Sequence, residues 1–146
     1  ADLKSFKVFL LDVGLLRCLS GLSPKVILEG SRIFEEFKGA ITEQYVLQEL
    51  NTIPHLQSNY YWTSQSKAEV DFLISEGLNV IPLECKAGYT MNAKSLKSYG
   101  EKYSPTMSLR TSLLPYERNE GVCNIPLYIL FAINNEIRTT EEIHNH

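Results

Sequence analysis

The sequence predicts a mixed α/β fold, an α+β arrangement in which a sheet is flanked by helices in the core order α-β-β-β-α-β. Three observations predict it. A helical apolar stripe is followed by an aromatic strand, two strand-like apolar runs are joined by a glycine turn, and a second helical segment leads into another strand. A meander of antiparallel strands followed by a helical crossover produces a mixed sheet with helices packed on it.

The first core helix is predicted over residues 39–53. Val46, Leu50 and Ile53 repeat at helical spacing, and Pro54 ends the pattern. Ahead of it, residues 6–11 indicate a strand or an extended entry, and Asp12 is a suitable N-cap for a short helix over 12–19.

The strands and the second helix follow in order. Aromatic residues predict a strand over 59–64, and two further strands surround Gly77. A helix is expected over 93–103 with Asn92 as its cap, and a strand over 107–113. Residues 117–121 are predicted as a charged loop, and 125–133 as a buried helix or strand.

The two strands around Gly77 specify their own pairing. Asp71 and Glu84 are equidistant from the pair Gly77 and Leu78, so a turn centred there places them opposite each other. The same register pairs Glu69 with Lys86. Strict alternation then separates these charges from an apolar layer on the other face of the hairpin. That layer comprises Val70, Phe72, Ile74, Ile81, Leu83 and Cys85.

Charges on this hairpin indicate a metal site. Two carboxylates as close as Asp71 and Glu84 must take up a proton or share a cation. A hard divalent ion such as Mg²⁺ takes oxygen ligands. Lys86 beside them would orient water or stabilise charge on a phosphate oxygen. The alternative is an exposed hairpin with ordinary cross-strand ion pairs.

Glu43 lies on the edge of the apolar stripe of the first core helix. A carboxylate facing a core edge needs a partner, so Glu43 would be a further acid at the metal site. The alternative is an exposed glutamate favoured by the helix dipole. Periodicity alone does not separate the two.

Composition limits the partners. The 146 residues suit one domain, and the net charge of −3 gives no overall attraction to nucleic acid or membrane. Polyanion binding would need a local patch, for which Lys94, Lys97, Lys102, Arg110 and Arg118 are candidates; the alternative is an ordinary solvated helix face. Three widely spaced cysteines and no CxxC pair favour a reducing, cytoplasmic location. No apolar run reaches transmembrane length, so no membrane partner is expected.

The ordered motifs resemble those of the PD-(D/E)xK nuclease superfamily, which has the restriction-endonuclease-like fold. The resemblance is greatest to the domain of unknown function at the C-terminus of prokaryotic, archaeal-type AAA ATPases. Val70 stands where the superfamily name has proline. The matching segments are 10–15, 39–50, 61–62, 69–72, 82–86 and 125–128.

The resemblance implies a function and a domain plan. Asp71 and Glu84 would bind Mg²⁺ or Mn²⁺, with Lys86 and Glu43 completing the catalytic set for phosphodiester hydrolysis of DNA or RNA. The alternative is a catalytically silent module that binds a partner or nucleic acid. Residues 1–30 would be an extension packed on a nuclease-like domain of residues 31–146. The upstream ATPase domain, the expected partner, is absent from this chain, which has no GxxxxGK nucleotide site.

Overall fold

The computed structural model describes residues 6–25, 32–64, 68–89, 92–119 and 121–144. In chain order the elements are α1 (Val13–Leu19), α2 (Arg32–Leu50), β1 (Gln57–Thr63), β2 (Glu69–Glu76), β3 (Asn79–Cys85), α3 (Lys94–Tyr103), β4 (Ser108–Ser112), β5 (Glu117–Asn119), β6 (Val122–Pro126), a 3₁₀ segment (Leu127–Ala132) and α4 (Ile133–His144).

The described strands form one six-stranded mixed sheet in the order β1-β2-β3-β4-β6-β5. The first three strands are antiparallel, β4 runs parallel to β3 and to β6, and β5 returns antiparallel to β6. The mixed α/β fold and the order α-β-β-β-α-β are therefore confirmed. The expected domain boundary at residue 30 lies outside the described residues.

Helices cover both faces of the sheet. Val46 and Leu50 of α2 pack with Phe72 and Leu83 in the main core, which the 3₁₀ segment and α4 complete. On the opposite face, Leu96 and Tyr99 of α3 pack with Val70. We refer to these as the α2 face and the α3 face. The sheet is buried at its centre because apolar residues on both sides find helices to cover them.

Three boundaries differ from the sequence prediction. Helix α2 begins at Arg32 and runs through the exposed Gly39, because one surface glycine costs a helix only about 1 kcal/mol. Residues 117–119, expected in a loop, form the short charged edge strand β5. The buried element expected at 125–133 is divided between β6, the 3₁₀ segment and the start of α4.

The turn between β2 and β3 is centred where the sequence placed it. Glu76 pairs with Asn79, leaving Gly77 and Leu78 as the two turn residues, and Phe72 pairs with Leu83. Gly77 has φ +56°. A side chain at this position would incur the steric cost of the left-handed region.

Two glycine substitutions test this reading as a matched pair. We expect Gly77→Ala to lower the free energy of unfolding by about 1 kcal/mol because of its positive φ. Gly39→Ala, in the exposed part of α2, should raise it by about 0.5–1 kcal/mol. Neither added methyl group meets an atom within 4 Å, so packing does not contribute. Urea unfolding of both variants would contradict the turn assignment if Gly77→Ala were the more stable.

Candidate functional site

Strand β2 contains a bulge at the residue that carries the first predicted metal ligand. Trp62 of β1 pairs with Val70, but Tyr60 pairs with Leu73, so β2 has one extra residue in this interval. Asp71 and Phe72 together lie opposite Tyr61. A bulge re-aims side chains, and it interrupts the strict alternation of the strand.

The bulge corrects the predicted apolar layer. Phe72 packs on the α2 face as expected, with Ile74, Ile81 and Leu83. Val70 instead packs on the α3 face. The prediction that Val70 and Phe72 share one face is therefore wrong, because it assumed unbroken alternation through Asp71.

The side chain of Asp71, on β2, accepts a hydrogen bond from the backbone of β3. Its Oδ2 accepts a hydrogen bond of 2.8 Å from the backbone N–H of Cys85. Its Oδ1 lies 3.3 Å from Nζ of Lys7. Asp71 is thus fixed on one side by β3 and on the other by the N-terminal segment.

Lys7 is the centre of a cluster of carboxylates. Its Nζ contacts Glu43 at 3.0 Å, Asp71 at 3.3 Å, and the carboxylate of Glu69. The ring of Tyr61 lies 5.4 Å from the same ammonium group, within range of a cation–π contact. We call Lys7, Glu43, Glu69 and Asp71 the Lys7 cluster.

Glu43 faces this cluster and not open solvent. Burial raises the pKa of Glu43, the charge of Asp71 raises it further, and Lys7 opposes both effects. Of the two readings left open by helical periodicity, the structure supports the one in which Glu43 accompanies Asp71. Glu69, expected opposite Lys86, contacts Lys7 instead.

Glu84 and Lys86 form a second pair beside the first cluster. Lys86 Nζ lies 2.8 Å from Oε1 of Glu84, whose side chain is only 3% exposed. Within the described part of the chain, the buried Oε2 of Glu84 has no hydrogen-bond partner. Burial raises the pKa of Glu84; Lys86 opposes this, and Asp71 adds to it. Such a carboxylate is costly unless something shares its charge.

The structure therefore brings the four predicted residues to one region but divides them between two contacts. Glu43 and Asp71 share the ammonium group of Lys7, whereas Glu84 holds Lys86. Among the described residues, no three His, Cys, Asp or Glu side chains are arranged to hold a metal ion. Three carboxylates are spaced around an ammonium group instead.

A polar row continues from Glu84 across the α3 face. Glu84 is the register partner of Arg110, which in turn is the partner of Asn124. Arg110 Nε donates a hydrogen bond of 3.0 Å to Asn124 Oδ1, and Ser112 Oγ donates one of 2.8 Å to the same atom. These side chains are buried in the sheet.

A cleft of about 720 Å³ lies between α3 and the strands β4 to β6, and the row reaches it at Arg110. Arg110, Lys94 and Lys97 line it together with Glu101 and Glu117. Three of the five basic residues proposed from sequence thus line one cleft, whereas Lys102 and Arg118 do not, and acidic residues balance the three. Trp62, another residue near this face, packs edge-on against Tyr99 and Tyr103.

Lys7 is the site residue that the sequence reasoning missed. Its signal is a single charge inside the apolar run Phe6-Lys7-Val8-Phe9-Leu10-Leu11. In an extended segment, Lys7 and Phe9 share a side, and Phe9 packs on Phe72 with ring centroids 5.8 Å apart. A charge that shares the buried side of such a segment requires opposite charge nearby.

Comparisons with known proteins show which domain family the chain belongs to. A model of a domain family matches residues 38–130, more than half of the chain. The chain belongs to that family, described as Domain of unknown function (DUF4143). Comparisons with curated proteins and with solved structures found no match. In the described residues, no helix has the length and apolar character needed to cross a membrane.

The pH dependence of folding tests the burial of Glu84. Because its folded pKa is raised above 4.5, the folded state binds the proton more tightly than the unfolded state does. Its contribution therefore lowers the free energy of unfolding as pH rises from about 4.5 through the raised pKa. We expect Glu84→Gln to remove this decrease.

Glu101→Gln, on the exposed side of α3, is the matched control for replacing a glutamate with glutamine. Urea unfolding at a series of pH values measures both variants. The pKa of Glu43 is shifted in the same direction, so the wild-type stability also changes with pH. The pH profile of each variant is therefore compared with that of the wild type. A Glu84→Gln profile parallel to that of the wild type would contradict the assigned burial.

Proposed function

We propose that this chain is a metal-dependent phosphodiesterase domain of the PD-(D/E)xK nuclease type that acts on DNA or RNA. The observation that carries the proposal is Glu84. Its carboxylate is almost fully buried, one oxygen is held by Lys86, and the other has no hydrogen-bond partner in the part of the chain that the structure describes. A buried oxygen without a partner is a cost to a purely structural ion pair, whereas the same oxygen is available as a ligand for a cation.

The residues fit a hard divalent ion by the chemistry of their donors. Asp71 and Glu84 supply carboxylate oxygens and influence each other electrostatically, since the charge of Asp71 contributes to raising the pKa of Glu84. They would hold Mg²⁺ or Mn²⁺. When bound, such an ion supplies Lewis-acid activation of a phosphoryl oxygen and lowers the pKa of a coordinated water.

The protein residues would prepare the substrate for hydrolysis. Lys86 is anchored by Glu84 at 2.8 Å, so its ammonium group is held where it would orient water or stabilise charge on a phosphate oxygen. Glu43, with its raised pKa, would accept a proton from the attacking water. Asp71 is kept in place by the N–H of Cys85.

Partner and location follow from the same proposal. The order of motifs is that of domains attached to AAA-type ATPases, so the proposed partner is an ATPase domain of the same polypeptide in the cytoplasm. The cleft lined by Lys94, Lys97 and Arg110 would receive the backbone phosphates of the substrate. Its acidic residues, Glu101 and Glu117, limit how much attraction it provides.

Cleavage by the full-length protein tests the proposal. With Mg²⁺ or Mn²⁺ and ATP, we expect Asp71→Asn and Lys86→Met each to lower cleavage of single- and double-stranded DNA and RNA by a factor on the order of 10²–10³. Lys102→Met, exposed on α3 and outside the residues that line the cleft, is the matched control for loss of a lysine and should change the rate by no more than about threefold. Unchanged cleavage by folded Asp71→Asn or Lys86→Met would refute the assigned roles.

A second candidate is a catalytically silent module that retains the nuclease-type fold. One observation favours it: the carboxylates of Glu43, Glu69 and Asp71 already share a cation, the ammonium group of Lys7. This candidate predicts no cleavage by the full-length protein with either metal, together with ATPase binding that Asp71→Asn leaves unchanged. Cleavage above background would count against it.

A further inference from the structure

We propose that Lys7 is an internal cation that occupies the acidic pocket of the Lys7 cluster and excludes a divalent cation until residues 6–12 move away. The ammonium group lies among three carboxylates that belong to two separate elements, Glu43 on α2 and Glu69 and Asp71 on β2. The sequence separations are 36 residues to Glu43 and 64 to Asp71. Only the fold brings them together.

The pocket already holds a cation, the ammonium group of Lys7. Three carboxylates at this separation repel one another unless positive charge lies between them. The ring of Tyr61 adds a negative π face at 5.4 Å from Nζ. Burial disfavours the ammonium group, but the hydrogen bonds with Glu69 and Glu43 outweigh it and raise the pKa of Lys7. Lys7 is 21% exposed and therefore remains close to solvent.

The segment that carries Lys7 is docked in a way that permits release. Residues 6–11 join no strand of the described sheet. Gln44 holds the segment through both backbone groups of Leu10, at 2.8 and 2.9 Å, and Gln48 accepts from the N–H of Val13 at 3.1 Å. Among the described residues, these hydrogen bonds, the packing of Phe9 and the Lys7 contacts hold the segment. Phe6, Val8 and Leu11 are exposed, which is typical of a segment that opens locally.

The inference rests on the proposed function, because Asp71 belongs both to the Lys7 cluster and to the proposed metal ligands. It adds a regulation of that site: a cation and Lys7 compete for the same carboxylate. The apparent affinity for a divalent ion is then the intrinsic affinity multiplied by the fraction of molecules in which the segment is released. Cation binding and cleavage are separate measurements, so either can fail without the other.

Titration of Mn²⁺ alone tests the competition. By calorimetry at low salt, we expect Lys7→Met to bind one Mn²⁺ at least about tenfold more tightly than the wild type. Lys7→Arg keeps the positive charge and should bind as weakly as the wild type. Lys94→Met is the matched control for loss of an exposed lysine. Adding Asp71→Asn to Lys7→Met should remove the gain.

The melting temperature gives a second readout. Mn²⁺ should raise it for Lys7→Met and leave it nearly unchanged for the wild type at equal ionic strength. If Lys7→Met is unfolded without metal, recovery of the fold on adding MnCl₂ supports the proposal, and failure to recover overturns it. Equal Mn²⁺ affinity of wild type and Lys7→Met, or no binding by folded Lys7→Met, also overturns it, whatever the cleavage assay shows.

Discussion

Replacing Lys7 with methionine is expected to lower the free energy of unfolding by about 2 kcal/mol, a large effect for one side chain. Methionine keeps most of the aliphatic length, so the loss is one of charge and not of packing. The substitution leaves Glu43, Glu69 and Asp71 without the cation they share. The expected loss is smaller than the 3–5 kcal/mol of a fully buried pair because these groups remain partly exposed.

The loss should depend on pH and on the neighbouring acids. Lys7 lowers the pKa of Glu43, so its removal raises that pKa and favours protonation. The wild type and Lys7→Met should therefore become closer in stability as pH falls toward 4.5, the ordinary pKa of glutamate. Adding Glu43→Gln should restore part of the loss at neutral pH, with a coupling of about 0.5–3 kcal/mol.

Urea unfolding of the two single variants and the double variant at neutral pH measures this coupling. Lys97→Met is the control, since its side chain lies exposed on α3. A Lys7→Met protein as stable as the wild type, with additive effects in the double variant, would show that the Lys7 cluster is an ordinary surface arrangement.

Leu83→Ala is expected to cost more, about 2–5 kcal/mol. Leu83 is 0% exposed and packs in the main core of the α2 face, on β3 between β2 and β4. Truncation removes buried apolar contacts and leaves a cavity that the surrounding strands only partly close. A domain of ordinary stability, about 5–15 kcal/mol, would lose a large share of it.

The hairpin supplies its own control for Leu83. Leu78, in the turn five residues earlier, is fully exposed, and Leu78→Ala removes the same atoms without a cavity. We expect a change within about 0.5 kcal/mol for this variant. Equal effects of the two substitutions in urea unfolding would contradict the burial of β3. Because Glu84 follows Leu83 directly, Leu83→Ala should also loosen the position of the Glu84 carboxylate.

Much of the fold was predictable because its information is local. The β2–β3 register depends on the glycine turn and the apolar pattern around it, and the observed pairing of Phe72 with Leu83 agrees. Charged edge strands such as β5 have the composition of loops, so Glu117–Asn119 was predicted wrongly. The span 125–133 was ambiguous because β6 passes directly into a 3₁₀ segment with uniform apolar content.

The site was predictable only in part, because its remaining information is non-local. Asp71, Glu84 and Lys86 lie on one hairpin, so counting residues brings them close together, although the observed strand pairing ends at Phe72 and Leu83. Lys7 meets Asp71 across 64 residues of chain, and no periodicity reports that contact. The bulge in β2 also depends on how β1 pairs with it, a tertiary property that strict alternation of residues does not encode.

The hydrogen bond from the N–H of Cys85 to the carboxylate of Asp71 has a consequence for how related sequences are compared. Here an acidic side chain completes the contact between two strands, so natural selection would retain it for architecture even in a protein that performs no chemistry. Retention of aspartate at this position therefore says little about activity. Among the described residues, Oε2 of Glu84 has no hydrogen-bond partner and Lys86 Nζ contacts Glu84, so on the proposed function the retention of Glu84 and Lys86 is the better indicator of activity.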